Sequence, residues 1–148
     1  MTDPAEIRSI IECCEALHLG LSDGNMPYVV PLNFGFEETR TGYVFYFHGA
    51  MEGKKLDLIR KNPRGFICLD TNHELITGES AEHYSYRYAS VMAEATAEIL
   101  EDREEKRHGL ACIFAHYSHE PFSVSEKLLD ATAVVRLTAG ELTAKRRT

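Results

Sequence analysis

The segment from residue 17 to residue 36 reads LHLGLSDGNMPYVVPLNFGF, and its pattern is typical of a β-hairpin. Leucines alternate with small or polar residues over its first part, which is the period of a strand with one buried face. Asp23-Gly24 then supplies a tight-turn signal, because glycine readily adopts the positive φ that such a turn needs. The sequence therefore predicts a return strand over residues 26–36.

Outward from the hairpin, the chain continues to alternate between strand and helix patterns. A helix is predicted to begin after the capping sequence Asp3-Pro4, because proline suits the first helical position. Short connections between apolar strands favour an α+β domain in which an antiparallel sheet closes into a barrel. Six strands are expected at 17–22, 26–36, 43–48, 65–70, 84–100 and 132–137. Three helices are expected at the N-terminus, at 54–61 and from the charged run 101–107 onward, and non-regular structure at 37–42, 71–83 and 145–147.

Length and charge limit the classes of protein to consider. A chain of 148 residues suits one domain over residues 1–148. Its net charge of −7 disfavours binding to nucleic acid, which depends on a basic surface. No apolar run approaches the roughly 20 residues that span a membrane, and a signal-peptide pattern is absent. The four cysteines form no C-x-x-C pair, so we expect reduced thiols in a cytoplasmic protein with no membrane association.

The most informative segment for function is FHGAMEGKKLD, at residues 47–57. Lys54 and Lys55 lie in the first turn of the predicted short helix, where the helix dipole disfavours cations. Two ammonium groups and free backbone N–H groups at one place would suit an anion such as a phosphate. The alternative is two solvated lysines on a surface helix.

A second candidate feature is the segment VPLNFG at residues 30–35. Pro31 has no N–H for a neighbouring strand, whereas the Asn33 amide offers both a donor and an acceptor. A flat heteroaromatic ring could lie along this edge, covered by Phe34 or Phe47. The alternative is an edge strand that uses proline to prevent aggregation.

The histidines give weaker signals. His48 follows a strand and precedes a glycine turn, where it could contact a ligand. His116 and His119 have a spacing compatible with a metal pair, but the sequence does not complete the ligand set, so we predict no metal site. The sequence also places no nucleophile beside a base, so no catalytic residue is predicted.

These same segments resemble the nitroimidazole-resistance (Nim-type) proteins, a family within the pyridoxamine 5′-phosphate oxidase-like, FMN-binding split-barrel superfamily. The likeness covers nearly the whole chain in the family's order. It is carried by VPLNFG (30–35), YFHGA (46–50), EGKKLDLI (52–59), NP (62–63), YR (86–87), SVM (90–92), AEILED (97–102), HY (116–117), VRL (135–137) and KR (145–146).

The resemblance implies a six-stranded antiparallel split β-barrel with flanking helices, forming a homodimer with an FMN site at each interface. Lys54 and Lys55 would hold the phosphate, with Ser90 as a further donor. Phe122 would approach the flavin from the partner protomer. The residues implied to surround the isoalloxazine ring are Pro31, Leu32, Asn33, Phe34, His48, Gly49 and Ala50, with His116 and Tyr117 from the partner.

One strand departs from the family's pattern. Relatives often have SVIGFGK where this chain has SVMAEAT at residues 90–96. Methyl groups replace glycines that allow close backbone approach, and Glu94 and Thr96 replace an aromatic and a basic residue. A protein that binds no cofactor is therefore one of the hypotheses.

Three functions are compatible with the sequence. The first is an FMN-dependent oxidoreductase that passes electrons to a small-molecule acceptor such as a nitroaromatic, with the flavin carrying the chemistry. In that case Asn33 would tune the flavin and His48 would be the polar contact near the substrate. The second is a dimer that binds flavin or another phosphorylated heterocycle as a store or sensor. The third is a dimer whose pocket has lost its ligand.

Overall fold

The computed structural model describes residues 3–148, which form four α-helices, one short 3-10 helix and eight β-strands. The strands are β1 (Leu17–Asp23), β2 (Met26–Leu32), β3 (Gly35–Thr39), β4 (Gly42–Gly49), β5 (Arg64–Ile76), β6 (Ser85–Ile99), β7 (Ala133–Ala139) and β8 (Thr143–Arg147), and the helices are α1 (Pro4–Cys13), α2 (Lys54–Lys61), α3 (Arg103–Tyr117) and α4 (Glu126–Ala131), with the 3-10 helix at Ala81–His83.

All eight strands belong to one antiparallel sheet. Its hydrogen-bonded order is β2-β1-β5-β6-β7-β4-β3, and β8 pairs separately with β6. This path is open, since β2 and β3 are its two ends, so the hydrogen-bonded strands do not form the predicted closed barrel. The α+β class with an antiparallel sheet is confirmed.

The opening hairpin forms as its sequence predicts. Leu17 of β1 lies opposite Leu32 of β2, and the register continues to the Asp23–Met26 pair around the turn. Gly24 has a φ of 62°, the conformation that favours glycine in a tight turn. The alternating leucines of β1 are buried, so the strand period correctly identified the inner face.

Two clusters of apolar side chains hold the sheet to its helices. The larger one lies on the inner face and includes residues of α1 and α2, while the smaller one lies beneath α3. Strand β4 contributes Phe45 and Phe47 to the first cluster and Tyr46 to the second. A strand with both faces buried needs a continuous apolar run, which explains the sequence YVFYF at residues 43–47.

The predicted count of six strands is wrong, because the sequence predicts no separate strand at the positions of β3 and β8. Residues 26–36 do not form one strand: β2 ends at Leu32, and Phe34 turns inward before β3 begins. The polar stretch after Phe36 continues as β3, and the basic segment near the C-terminus is β8. Strand β8 is largely exposed and β3 becomes exposed towards its end, so neither has the apolar alternation that marks a buried strand.

Helix α2 and strand β6 lie close to their predicted bounds, whereas β5 is longer than predicted and one helix is additional. Strand β5 continues to Ile76 through a register shift between Thr71 and Glu74, where a loop was predicted. Helix α4 was not predicted at all, because its six residues are too few for a clear period. No helix within residues 3–148 has the length and apolar character needed to cross a membrane.

Candidate functional site

The first turn of α2 has backbone N–H groups without a side-chain cap. Its N-cap is Gly53, which has no side chain to accept them, and the first helical hydrogen bond is donated by the Asp57 N–H to the Gly53 carbonyl. The N–H groups of the intervening residues are therefore available to an external acceptor. This end of α2 directly follows the turn after β4, as the sequence predicted.

Lys54 is already paired with a carboxylate. Its Nζ lies 3.0 Å from Oδ2 of Asp23, in the turn between β1 and β2. The same ammonium lies 5.0 Å from the ring centroid of Tyr28 on β2. Hydrogen bonding to Asp23 raises the pKa of Lys54. The pair therefore connects α2 to the first hairpin and partly neutralises one of the two predicted phosphate ligands.

Lys55 is the less constrained of the two lysines. No carboxylate within residues 3–148 forms an ion pair with it, and its side chain is half-buried. A Cβ atom built on Gly49 would lie 3.5 Å from its Nζ. The Lys55 side chain thus lies beside the end of β4 and the glycine turn. Its ammonium group can bind an anion there.

His48, Gly49 and Ala50 form the end of β4 and the exposed turn beyond it. His48 lies opposite Val134 of β7 in the strand register. Partial desolvation by the surrounding protein lowers the pKa of His48, which favours the neutral form of its ring. A neutral imidazole can donate or accept a hydrogen bond at this position.

Pro31 and Leu32 lie on β2, which pairs with β1 and has no second neighbour in the sheet. Strand β2 is therefore an edge strand, which was the alternative interpretation of Pro31. Pro31 is exposed, whereas Leu32 packs partly against the inner core. The free side of β2 therefore presents backbone groups that a ligand can reach.

Asn33 and Phe34 are held by the end of α3. The Tyr117 hydroxyl accepts hydrogen bonds from the Phe34 backbone N–H at 3.0 Å and from the Asn33 amide at 3.2 Å. It donates in turn to the Glu15 carbonyl at 2.6 Å. The Asn33 amide is thus engaged within the chain, and Phe34 is fully buried rather than free to cover a ring.

His116 lies in the same group of contacts. Its ring centroid is 4.3 Å from that of Phe34, and its Nε2 lies 2.6 Å from the carbonyl oxygen of Cys14. His116 and Tyr117 therefore meet the Asn33–Phe34 segment of their own chain. Their approach to a cofactor from the partner protomer stays a prediction, as does that of the exposed Phe122.

Ser90 lies on β6, between Asp70 of β5 and Lys145 of β8 in the strand register. No hydrogen bond of the described chain connects it to the start of α2. In the same strand Ala93 and Ala95 are buried and face the inner core, while Glu94 and Thr96 are exposed. The methyl groups that depart from the family pattern therefore fill the core rather than the outer surface.

A cleft lies elsewhere in the molecule, away from these residues. It has a volume of about 690 Å³ on the outer face of the sheet, beside Arg64, Phe66, Glu94 and Thr96. The predicted cofactor-binding residues do not line it. The corner formed by Gly49, the start of α2 and the edge of β2 is an open surface in a single chain.

Sequence reasoning missed two residues of this corner. Asp23 was interpreted only as part of a turn, and Tyr28 only as a strand residue, although both contact Lys54. No local pattern marks them, because the contact depends on how the hairpin lies against α2. The fold and the corner together define an α+β protein with a cationic helix start beside a free strand edge.

A family model described as pyridoxamine 5′-phosphate oxidase matches residues 3–146, and the chain belongs to this family. No curated protein matches the chain significantly in sequence. The family is named for an oxidase, so the prediction of an oxidoreductase-type protein is confirmed at the level of the family.

Solved structures extend the comparison. A candidate 5-nitroimidazole antibiotic resistance protein from Bacteroides thetaiotaomicron is 33% identical, with a TM-score of 0.85 over 97% of this chain and 84% of that one. The flavocytochrome Anf3 from Azotobacter vinelandii shares the fold at 22% identity, with a TM-score of 0.80 over 100% and 69% of the two chains. An FAD and heme binding protein from Mycobacterium smegmatis does so at 18% identity, with a TM-score of 0.80 over 99% and 72%. The resemblance to the nitroimidazole-resistance proteins is confirmed.

Proposed function

We propose that the protein is a split-barrel flavoprotein that binds FMN and passes electrons from the reduced flavin to a small acceptor such as a nitroaromatic compound. One observation carries this proposal: the ammonium group of Lys55, free of any carboxylate within residues 3–148, lies beside Gly49 and the uncapped start of α2. A phosphate at this place would meet backbone N–H groups and a cation together.

Family membership supports a flavin as the phosphorylated ligand. The Bacteroides structure is similar over most of both chains and is described as a candidate 5-nitroimidazole resistance protein, which supports a nitroaromatic acceptor. Two of the more distant structures are described as binding FAD, so the choice between FMN and FAD is part of the test.

A bound flavin would supply the electron transfer, and the chain would position it. The start of α2 and Lys55 would hold the phosphate. The free edge of β2 would offer backbone donors and acceptors to the ring system. His48, in the neutral form that desolvation favours, would donate a hydrogen bond at the end of β4 without adding charge to the site.

The protein would form a homodimer. The outer face of the sheet exposes apolar side chains of β2, β5 and β6, namely Val29, Phe66 and Met92 at 64%, 46% and 41%. Val29 and Phe66 both lie opposite Gly20, so they share one row across the sheet. A second copy that covers this face would bury these side chains, which supports a homodimer.

The alternatives remain a non-catalytic flavin store or sensor and a dimer without ligand. The inward orientation of Ala93 and Ala95 argues against the last, because these methyl groups leave the outer surface unobstructed.

The purified chain, freed of any bound flavin, is titrated with FMN, FAD and riboflavin while the flavin absorbance and fluorescence are followed. We expect FMN to bind more tightly than riboflavin, because riboflavin has no phosphate. The loaded protein is then given NADH or NADPH and a nitroimidazole without oxygen, and free FMN at the same concentration is the control. Loss of the nitroimidazole above this control supports the oxidoreductase, and flavin binding without turnover identifies a store. Absence of flavin binding would refute the proposal.

A further inference from the structure

Three residues with metal-binding side chains meet at a place that the flavin proposal does not use. Glu37 on β3 and His108 and Cys112 on α3 each place a ligand atom within 4.8 Å of the other two. The two residues of α3 are four positions apart, so they lie on one face of the helix. The register of β3 against β4 brings Glu37 to this face.

The distances within the group are close to those around a bound ion. His108 Nε2 lies 2.8 Å from Glu37 Oε2 and 3.7 Å from the Cys112 sulfur. Ligand atoms around tetrahedral Zn²⁺ lie about 3.3–3.7 Å apart, given the usual metal–ligand bond lengths. An ion could therefore replace the imidazole–carboxylate hydrogen bond with a shift of about half an ångström.

The neighbouring residues hold the carboxylate and the imidazole in place. The Tyr46 hydroxyl donates to Glu37 Oε1 at 2.7 Å, which leaves Oε2 directed to His108. The Tyr46 ring also meets the His108 ring edge-on, with centroids 5.9 Å apart. Such outer contacts commonly orient the ligands of metal sites.

Hydrogen bonds alone do not give every polar atom of the three side chains a partner. His108 Nε2 faces both the carboxylate and the thiol, and when it carries the proton for Glu37 it cannot accept from Cys112. Within residues 3–148 the thiol has no other hydrogen-bond partner. A cation bound to all three atoms would satisfy each of them.

The charges also balance. When the ion binds, the Cys112 thiol releases its proton to solvent, and the resulting thiolate together with the Glu37 carboxylate neutralises a divalent ion, while the imidazole stays neutral. The nearby guanidinium of Arg136 is held by Glu98 and Glu105, at 2.7 and 2.9 Å. It therefore adds little repulsion.

The geometry points to a binding site for a thiophilic divalent cation, with Zn²⁺ the best match, formed by Glu37 Oε2, His108 Nε2 and Cys112 Sγ. Thiolate and imidazole ligands together favour Zn²⁺ over Mg²⁺ or Ca²⁺. Because the side chains of His108 and Glu37 are 55% and 34% exposed, the fourth position faces solvent and takes water. No local sequence pattern marks this site, because residues 37 and 108 are 71 positions apart.

The test uses the whole chain without flavin, titrated with Zn²⁺ by calorimetry and with Co²⁺ by absorption spectroscopy. We expect one ion per chain and, for Co²⁺, a thiolate-to-metal charge-transfer band in the near ultraviolet. Cys112→Ser should abolish the band, and His108→Gln should weaken binding at least about tenfold. Cys13→Ser and His119→Ala, which change an exposed thiol and an exposed histidine outside the group, should leave both signals unchanged.

A further variant guards against a folding defect. Glu37→Gln keeps a group that can accept from Tyr46 but removes the anionic ligand, so it should lower affinity while the circular dichroism spectrum is unchanged. The inference is overturned if the unmodified chain binds no stoichiometric ion, or if Cys112→Ser and His108→Gln bind as it does.

Discussion

Lys54 and Asp23 form an ion pair of 3.0 Å that ties the start of α2 to the turn between the first two strands. The neighbouring Lys55 has no such partner within residues 3–148 and lies beside Gly49. The two adjacent lysines therefore differ in whether the ammonium group is free to bind a phosphate. The distinction matters because the sequence alone treats them as equivalent ligands for a phosphate.

Lys55→Ala should weaken FMN binding more than Lys54→Ala does. A hydrogen bond to a charged group is worth about 1.5–3 kcal/mol, so the loss at Lys55 corresponds to roughly 10- to 100-fold in affinity. Riboflavin binding should change little in either variant, and fluorescence titration with both flavins measures the difference. Equal losses for FMN and riboflavin would refute the phosphate assignment.

Asp23→Asn should strengthen FMN binding, because it frees the Lys54 ammonium and removes a negative charge near the phosphate. Both side chains of the ion pair are exposed, so the gain in affinity should be small and not exceed about fivefold. Glu79→Gln removes the same charge from an exposed loop and is the matched control. A similar gain in both variants would mean that net charge alone is responsible.

Gly35→Ala should destabilise the fold strongly. A Cβ atom on Gly35 would overlap the backbone of Cys112 and Ile113, so α3 would have to move away from β3. Overpacking of this kind costs about 1–3 kcal/mol or more of unfolding free energy. Gly20→Ala is the control, since its Cβ would lie 3.5 Å from the nearest atom, the Phe66 carbonyl oxygen. Chemical denaturation that gives equal midpoints for both variants would contradict the close approach.

Tyr117→Phe should loosen the segment between β2 and β3. The substitution leaves the Phe34 N–H without its acceptor and removes a hydroxyl that also contacts Asn33 and Glu15. We expect a loss of about 1–3 kcal/mol of unfolding free energy. The Phe34 amide should also exchange its hydrogen faster in NMR measurements. Tyr84→Phe, at an exposed tyrosine, should change neither quantity.

His48 should titrate below the usual imidazole pKa of 6.5, because burial disfavours its charged form. Between its folded pKa and 6.5 the unfolded chain binds more protons than the folded chain. The stability that the neutral ring contributes is therefore present above pH 6.5 and is lost as pH falls through the folded pKa. NMR titration of the ring, assigned with His48→Gln, tests this directly. A midpoint at or above 6.5 would show that the ring is not desolvated.

Much of the fold could be predicted from local patterns. The alternating leucines of β1, the Asp23-Gly24 turn, the capped start of α1 and the continuous apolar run of β4 each satisfy a rule that depends on neighbouring residues. The sequence did not predict β3 and β8 as separate strands. Backbone pairing stabilises them, β3 with β4 and β8 with β6, and such pairing does not require alternating apolar side chains. The alternative interpretation of Pro31 as an edge-strand residue was correct because proline lacks an N–H whatever its surroundings.

The sequence by itself determined the class of fold, the edge position of β2 and the location of two lysines at a helix start, since backbone chemistry and hydrophobic period act over a few residues. Only the tertiary structure decided which lysine is free, that Tyr117 holds Phe34 from 83 positions away, and that Glu37 meets His108 and Cys112. Such contacts depend on strand order and register, and many arrangements of the same strands and helices would satisfy the local patterns equally well.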